Sequence, residues 1–440
     1  MDSHFPDLMR VFIGYEQAQG RLVKEQSLSY INSMKLSEKK KPSLVLSGGG
    51  IKAAAFHIGV CLALQEKGFN FAGGSPEHVA KNFNEDAMTF RLYVGSSAGS
   101  VISTFLAAGY SIDSIINAFT QGAGLPSITR YGQSQNREKE PSLLKPITYR
   151  DIFAVNLKAG HPSRLLANIF RKKPVMRGGI EVLLKRGFKV NGIFSMSNLE
   201  RYMRENVCPE NKFSSLGVQL YIVATQLNHS RKVIFGNFDE TTKDERIKYA
   251  AYAKISEAVA ASASLPPVFS PYGIHNHKGR EVFFFDGEIR DTLSTHVAAD
   301  HGSDLVIASY SIHPYHFQKD VGSLHEYGIP AIINQALYQV VQQKIDTHIR
   351  HQREVRAMIK AVDGYLKQTE IAAEHREKLL EILNDRTHNH PHVEYIYIHP
   401  SPNDYEMFFA DHFSLNPKIL ASIVHSGFKS AMRTLRKYNV

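Results

Sequence analysis

The chain has 440 residues, 43% hydrophobic and 21% charged, which suits one large globular domain or two to three smaller ones. No apolar run reaches the roughly 18 residues of a membrane-spanning helix, and the polar start lacks the order of a cleaved secretory signal, so a cytoplasmic or peripheral membrane location is expected. Two cysteines, Cys61 and Cys208, exclude a disulfide framework and a zinc site. The net charge of +10 is concentrated: Arg137–Lys189 holds 13 Lys/Arg against 4 Asp/Glu. Such a stretch suits anionic lipid headgroups. Nucleic acid is not expected, because neither zinc-finger spacing nor an RNA-binding aromatic signature accompanies the charge.

Residues 1–41 read as a helical lead-in ending in Glu38-Lys39-Lys40-Lys41, which Pro42 stops. A strand, Ser43–Ser47, runs into Gly48-Gly49-Gly50. A helix is predicted from Ile51 to Lys67, with Ala55, Ile58, Gly59, Leu62 and Ala63 at 3–4 spacing and Gly68 as its cap. Cys61 lies inside that apolar pattern and reads as a buried thiol. A second strand, Arg91–Gly95, passes through Ser96-Ser97-Ala98-Gly99 into a helix over Ser100–Ala108. Two successive strand–loop–helix units predict an α/β fold with a mostly parallel central sheet flanked by helices.

Residues 120–215 hold the basic excess and read as an inserted cap over the loop edge of the sheet. Strands resume at Val218–Ala224 and Lys232–Phe235. A small-residue helix, Ile255–Ser264, ends at Pro266-Pro267. Val282–Phe285 reads as a buried strand leading to Asp286-Gly287, and Asp304–Ser309 as another strand. The helical pattern over Ile329–Leu383 is expected to be a pair packed on the sheet. A late strand, Val393–Ile398, precedes an amphipathic helix over Pro417–Tyr438. The division expected is thus lead-in 1–41, a main α/β domain 42–310 and a mainly helical C-terminal region 311–440.

Three stretches carry chemistry. Gly95-Ser96-Ser97-Ala98-Gly99 fits the Gly-x-Ser-x-Gly elbow, where a tight strand-to-helix turn needs small neighbours and lifts a serine hydroxyl above the sheet. Gly48-Gly49-Gly50 also joins strand to helix, where free backbone N–H groups can meet a phosphate or a developing oxyanion. Its spacing fits neither nucleotide-binding glycine pattern. Asp286 ends an apolar strand, on the edge where α/β enzymes place their sites, although an Asp-Gly alone is usually a turn.

Glycine loop, serine elbow and aspartate in that order resemble the patatin-like phospholipase family. Leu220–Thr225 and Ala261–Pro267 resemble a strand and a small-residue block of the same family, and Asp286–Ile307 resembles the aspartate block of its bacterial members. The resemblance covers roughly 42–110 and 216–310. It implies a serine lipid acyl hydrolase without cofactor or metal, acting on lipid carboxylic esters at a membrane surface. Ser97 would be the nucleophile and Asp286 its base. Gly48, Gly49 and Gly50 would form the oxyanion loop, with donors from Gly49 and Gly50 and with Gly48 shaping the turn. Lys52 would add positive charge near the oxyanion or a lipid phosphate, the alternative being a solvated residue of the first helical turn. Two departures stand out: Ala53 follows Lys52, and Glu288 follows Gly287. Neither removes a reacting group, while Glu288 adds charge beside the base. Other readings of the same residues are a Ser–His–Asp esterase using His296, His301 or His313, acyl transfer to an alcohol, and a non-catalytic lipid-binding module. His57, two turns beyond the glycine loop, and His275 and His277, ahead of Asp286, add to the histidines near the motifs.

Overall fold

A computed structural model describes residues 36–83, 87–120, 144–156, 192–229, 231–239, 247–290, 292–369 and 371–438. Its centre is a nine-stranded sheet: β1 (Pro42–Leu46), β2 (Leu92–Ser96), β3 (Gln219–Gln226), β4 (Arg231–Phe235), β5 (Ile247–Ala250), β6 (Tyr272–His275), β7 (Glu281–Asp286), β8 (Leu305–Ser309) and β9 (Glu394–Ile398). The five strands ordered β9-β8-β1-β2-β3 are parallel. Their side chains alternate between two apolar cores. Leu44, Leu46, Tyr93, Ile222 and Ile307 face one side; Val45, Leu92, Val94, Tyr221 and Val306 face the other. A sheet covered on both faces needs this doubly apolar pattern.

The first face is covered by α1 (Gly50–Glu66), α2 (Ala98–Ala107), α3 (Ile112–Phe119) and α4 (Ile255–Ser262). The second carries α5 (Thr295–Asp300) and the inner side of α6 (Gly328–Gln368), through Ile345 with Val341 and Ile349 beside it. The helix α7 (Ala373–Thr387) pairs with α6. After α8 (Tyr405–Phe409), the last helix, α9 (Pro417–Leu435), lies against α1. Every residue of α1 from Ile51 to Leu64 is buried, so it is a central helix rather than a surface one. Two glycines explain the tight packing: a Cβ on Gly59 would stand 2.0 Å from the Val424 carbonyl oxygen, and one on Gly427 2.1 Å from that of Phe56.

Four expectations need correcting or bounding. First, β7 runs antiparallel to β3 and β6 antiparallel to β7, while β5 and β6 were not read from the sequence at all. Second, of the run Val282–Phe285 only Phe284 is buried, and Phe283 is 39% exposed. Third, the basic stretch lies largely outside the described residues; of the expected cap, 144–156 and 192–215 are described. Fourth, of the lead-in only 36–41 is described; there the N–H groups of Lys40 and Lys41 donate to the Asp304 carboxylate at 2.8 and 2.9 Å.

Candidate active site

Ser97 caps α2 with φ 51° and ψ −123°, a conformation that a non-glycine residue holds only when its surroundings enforce it. Several contacts do so. The Ser97 N–H donates to Ser262 Oγ at 2.8 Å, and that hydroxyl donates to the Val223 carbonyl at 2.6 Å. The Ser97 carbonyl accepts from the Ser100 hydroxyl at 2.6 Å and from its N–H at 2.9 Å. Gly99 lies so close to β1 that a Cβ would come within 2.1 Å of the Leu46 oxygen. Elbow and first strand are therefore one packed unit.

The aspartate arrives by an unexpected route. One edge of β3 pairs with β2 up to the register Ser96↔Val223. The same edge continues with β7, whose last residue pairs Asp286↔Ala224, because β4 occupies the opposite edge over Ile222–Gln226. Strands β2 and β7 thus meet end to end along β3, and the residue after Ser96 faces Asp286. The carboxylate is 2% exposed. Its Oδ1 accepts the Glu288 N–H at 2.9 Å, and the nearby Ser97 hydroxyl favours its charged form. Burial pushes the Asp286 carboxyl up to about 6, against the opposing pull of those two donors.

The glycine loop can be followed peptide by peptide. In the Ser47–Gly48 peptide both ends are held: the Ser47 carbonyl lies 2.8 Å from His57 Nε2, and the Gly48 N–H donates to Glu288 Oε1 at 2.8 Å. His57 is fully buried, and burial lowers it to about 4. Being neutral, it donates from Nε2 to the carbonyl and accepts at Nδ1 from Ser309 Oγ, 2.8 Å away. A Cβ on Gly48 would lie 2.7 Å from both Ser97 Cβ and Glu288 Cγ, so the loop sits directly on the serine. Gly49 and Gly50 have φ of 134° and 72°, which glycine tolerates. Among the described residues no acceptor takes the N–H of either. Two open donors next to a buried hydroxyl are what a developing oxyanion requires.

An apolar cleft opens beside Ser97, walled by Ile51, Ala54, Val101, Phe119, Leu265 and Phe269. Ile147, Ile152, Met196 and Leu199 of the described cap segments and Phe413 of the C-terminal region complete it.

Lys52 is not the solvated residue that its place in a first helical turn suggested. It is 1% exposed, and its ammonium donates to Tyr338 Oη at 2.9 Å and to the Phe408 carbonyl at 3.4 Å. Burial lowers it to about 7, against the pull of Asp404 and Asp411. Its charge is directed into the C-terminal region, and this placement lends no support to the anion-binding role expected for it. The candidate triad histidines also sit elsewhere. His296 pairs with Lys232 Nζ, His301 with the Val297 carbonyl, and His313 packs against His316 and His399. The residues that sequence reasoning missed are Ser262, His57 as a support, and Tyr338 and His412 beyond the motifs.

A strand-to-helix serine turn facing a buried carboxylate stands on a mixed, mostly parallel sheet flanked by helices, which is an α/β fold. A family profile, patatin-like phospholipase, matches residues 44–299, more than half of the chain. The chain belongs to this family of lipid acyl hydrolases. No curated protein matches it.

Proposed function

We propose that the protein hydrolyses carboxylic esters of membrane lipids through a Ser97–Asp286 dyad. Asp286 takes the hydroxyl proton as Ser97 Oγ attacks the ester carbonyl. The carbonyl oxygen becomes an oxyanion held by the N–H groups of Gly49 and Gly50, each such donor being worth about 3 kcal/mol in the transition state. The intermediate collapses, the leaving alcohol takes the proton from Asp286, and the acyl group remains on Ser97. Water then adds to the acyl carbon as Asp286 takes its proton; the second intermediate expels Ser97 Oγ, which takes that proton back from Asp286, and the fatty acid leaves. The single observation that carries this reading is the buried Ser97 and Asp286 brought together where their strands meet, beside two backbone donors that no acceptor takes among the described residues. The apolar cleft beside Ser97 favours an acyl chain as the group bound there.

The test is hydrolysis of a short-chain ester and of mixed phospholipid vesicles by the wild type, Ser97→Ala and Asp286→Asn. Wild type is expected to release fatty acid and both variants to be inactive. Full activity in either variant removes the dyad.

A further inference from the structure

The first peptide of the glycine loop is held from within the span matched by the family. The Gly49–Gly50 peptide is not. Its carbonyl oxygen lies 3.2 Å from Nδ1 of His412, 363 residues further along the chain. The His412 carbonyl accepts the Lys52 N–H at 3.2 Å and lies 2.6 Å from where a Cβ on Gly50 would stand. On the far side of the ring, Nε2 is 2.9 Å from Tyr338 Oη, which in turn is 2.9 Å from Lys52 Nζ.

One proton arrangement fits all these contacts. A carbonyl can only accept, so Nδ1 carries the hydrogen and donates to Gly49 O. Nε2 of the neutral ring accepts from the Tyr338 hydroxyl, and the Tyr338 oxygen accepts from the Lys52 ammonium. Burial, with the Lys52 charge beside it, brings His412 down to about 4, while Asp411 pulls the other way. The ring is neutral near pH 7. Across a trans peptide the carbonyl and the following N–H point in opposite directions. Drawing Gly49 O toward His412 therefore turns the Gly50 N–H away from it. Gly50 and Ser97 line the same cleft.

We propose that His412, braced by Tyr338, is a positioning residue for the reaction at Ser97: its Nδ1–H grips Gly49 O and so aims the Gly50 N–H at the ester oxygen. It touches neither substrate nor reacting atoms. This rests on the Ser97–Asp286 reading and adds to it a contribution from outside residues 44–299.

The experiment uses the full chain as wild type, His412→Ala, His412→Asn, Tyr338→Phe and Ser97→Ala. Hydrolysis of a soluble p-nitrophenyl ester is followed as kcat and KM over pH 5–9. Labelling of Ser97 by a fluorophosphonate and Tm are measured alongside. His412→Ala is expected to lower kcat roughly tenfold to hundredfold with KM within about twofold, the pattern of lost transition-state stabilisation. His412→Asn keeps a side-chain N–H donor and recovers part of the rate; Tyr338→Phe loses a smaller factor. Labelling slows in the same order, because phosphonylation places an anionic oxygen in the same hole. The acid limb of the pH profile stays where Asp286 sets it. Wild-type kcat in a folded His412→Ala overturns the proposal, as does an effect confined to KM or losses that follow Tm without recovery in His412→Asn. If His412→Ala does not fold, His412→Asn and Tyr338→Phe decide on the same criteria. Should Ser97→Ala be inactive while the His412 variants stay fully active, the dyad stands and the clamp alone falls. Should the wild type neither hydrolyse nor become labelled, or Ser97→Ala remain active, the dyad reading fails and the clamp with it.

Discussion

Asp286 is placed where its charge is unfavourable. Its folded pKa, raised to about 6 by burial, lies above the unfolded value of about 3.9. The proposed dyad requires Asp286 unprotonated, so kcat/KM is expected to fall as pH drops through about 6. Stability runs the other way: with the folded pKa raised, this group's favourable contribution is complete below pH ~4 and is lost as pH rises through ~6. Above that, the buried charge costs on the order of 2–3 kcal/mol at 1.36 kcal/mol per unit. Asp286→Asn is therefore expected to be inactive yet raise Tm at pH 8, with little gain at pH 4; thermal melts at both pH values check this. The residues proposed to react could be picked out from local spacing: Gly95 to Gly99, between a strand and a helix, fits an elbow, and Asp286 ends an apolar run. Their supports could not. Nothing near His412 or Tyr338 in the sequence announces a contact with residues 49–52, and Glu288 could be read as a charge but not as the acceptor for Gly48 N–H.

At the level of elements, the boundaries of β1, β2 and β8 were readable to within about a residue, since each is an apolar run ended by glycine, proline or a polar residue. Strand direction was not. Val282–Phe285 has the composition of a central parallel strand, but its direction is set by pairing with β3, 60 residues earlier, which no local pattern records. The α1–α9 contact gives an element-scale prediction. Gly427→Ala would drive a methyl into the Phe56 carbonyl, 2.1 Å away, so the helices must separate. A loss of about 1–3 kcal/mol is expected from such overpacking, read as a lower Tm. Activity is expected to fall with it, because the N-terminus of α1 carries the glycine loop.

On the scale of the whole molecule, the region after residue 310 is not an appendage. β9 extends the sheet beside β8, α9 covers α1, and Phe413 walls the cleft. No helix among the described residues is long and apolar enough to cross a membrane. We propose that the protein meets its lipid surface through the basic stretch 137–189. Sedimentation with vesicles is expected to rise with anionic lipid content and to fall with salt, at about 1 kcal/mol per Lys or Arg engaged. Binding indifferent to both would refute it.

The glycine loop and the serine elbow are complete within the first 100 residues, but the contact on Gly49 O comes from His412. At a ribosomal rate of about 5–20 residues per second, roughly 15–60 s separate synthesis of Ser97 from that of His412. During translation the nascent chain carries Ser97 before the residue proposed to clamp its loop has been made. On the proposed reading, order of synthesis acts as a timer, delaying the finished site until residue 412 has been made.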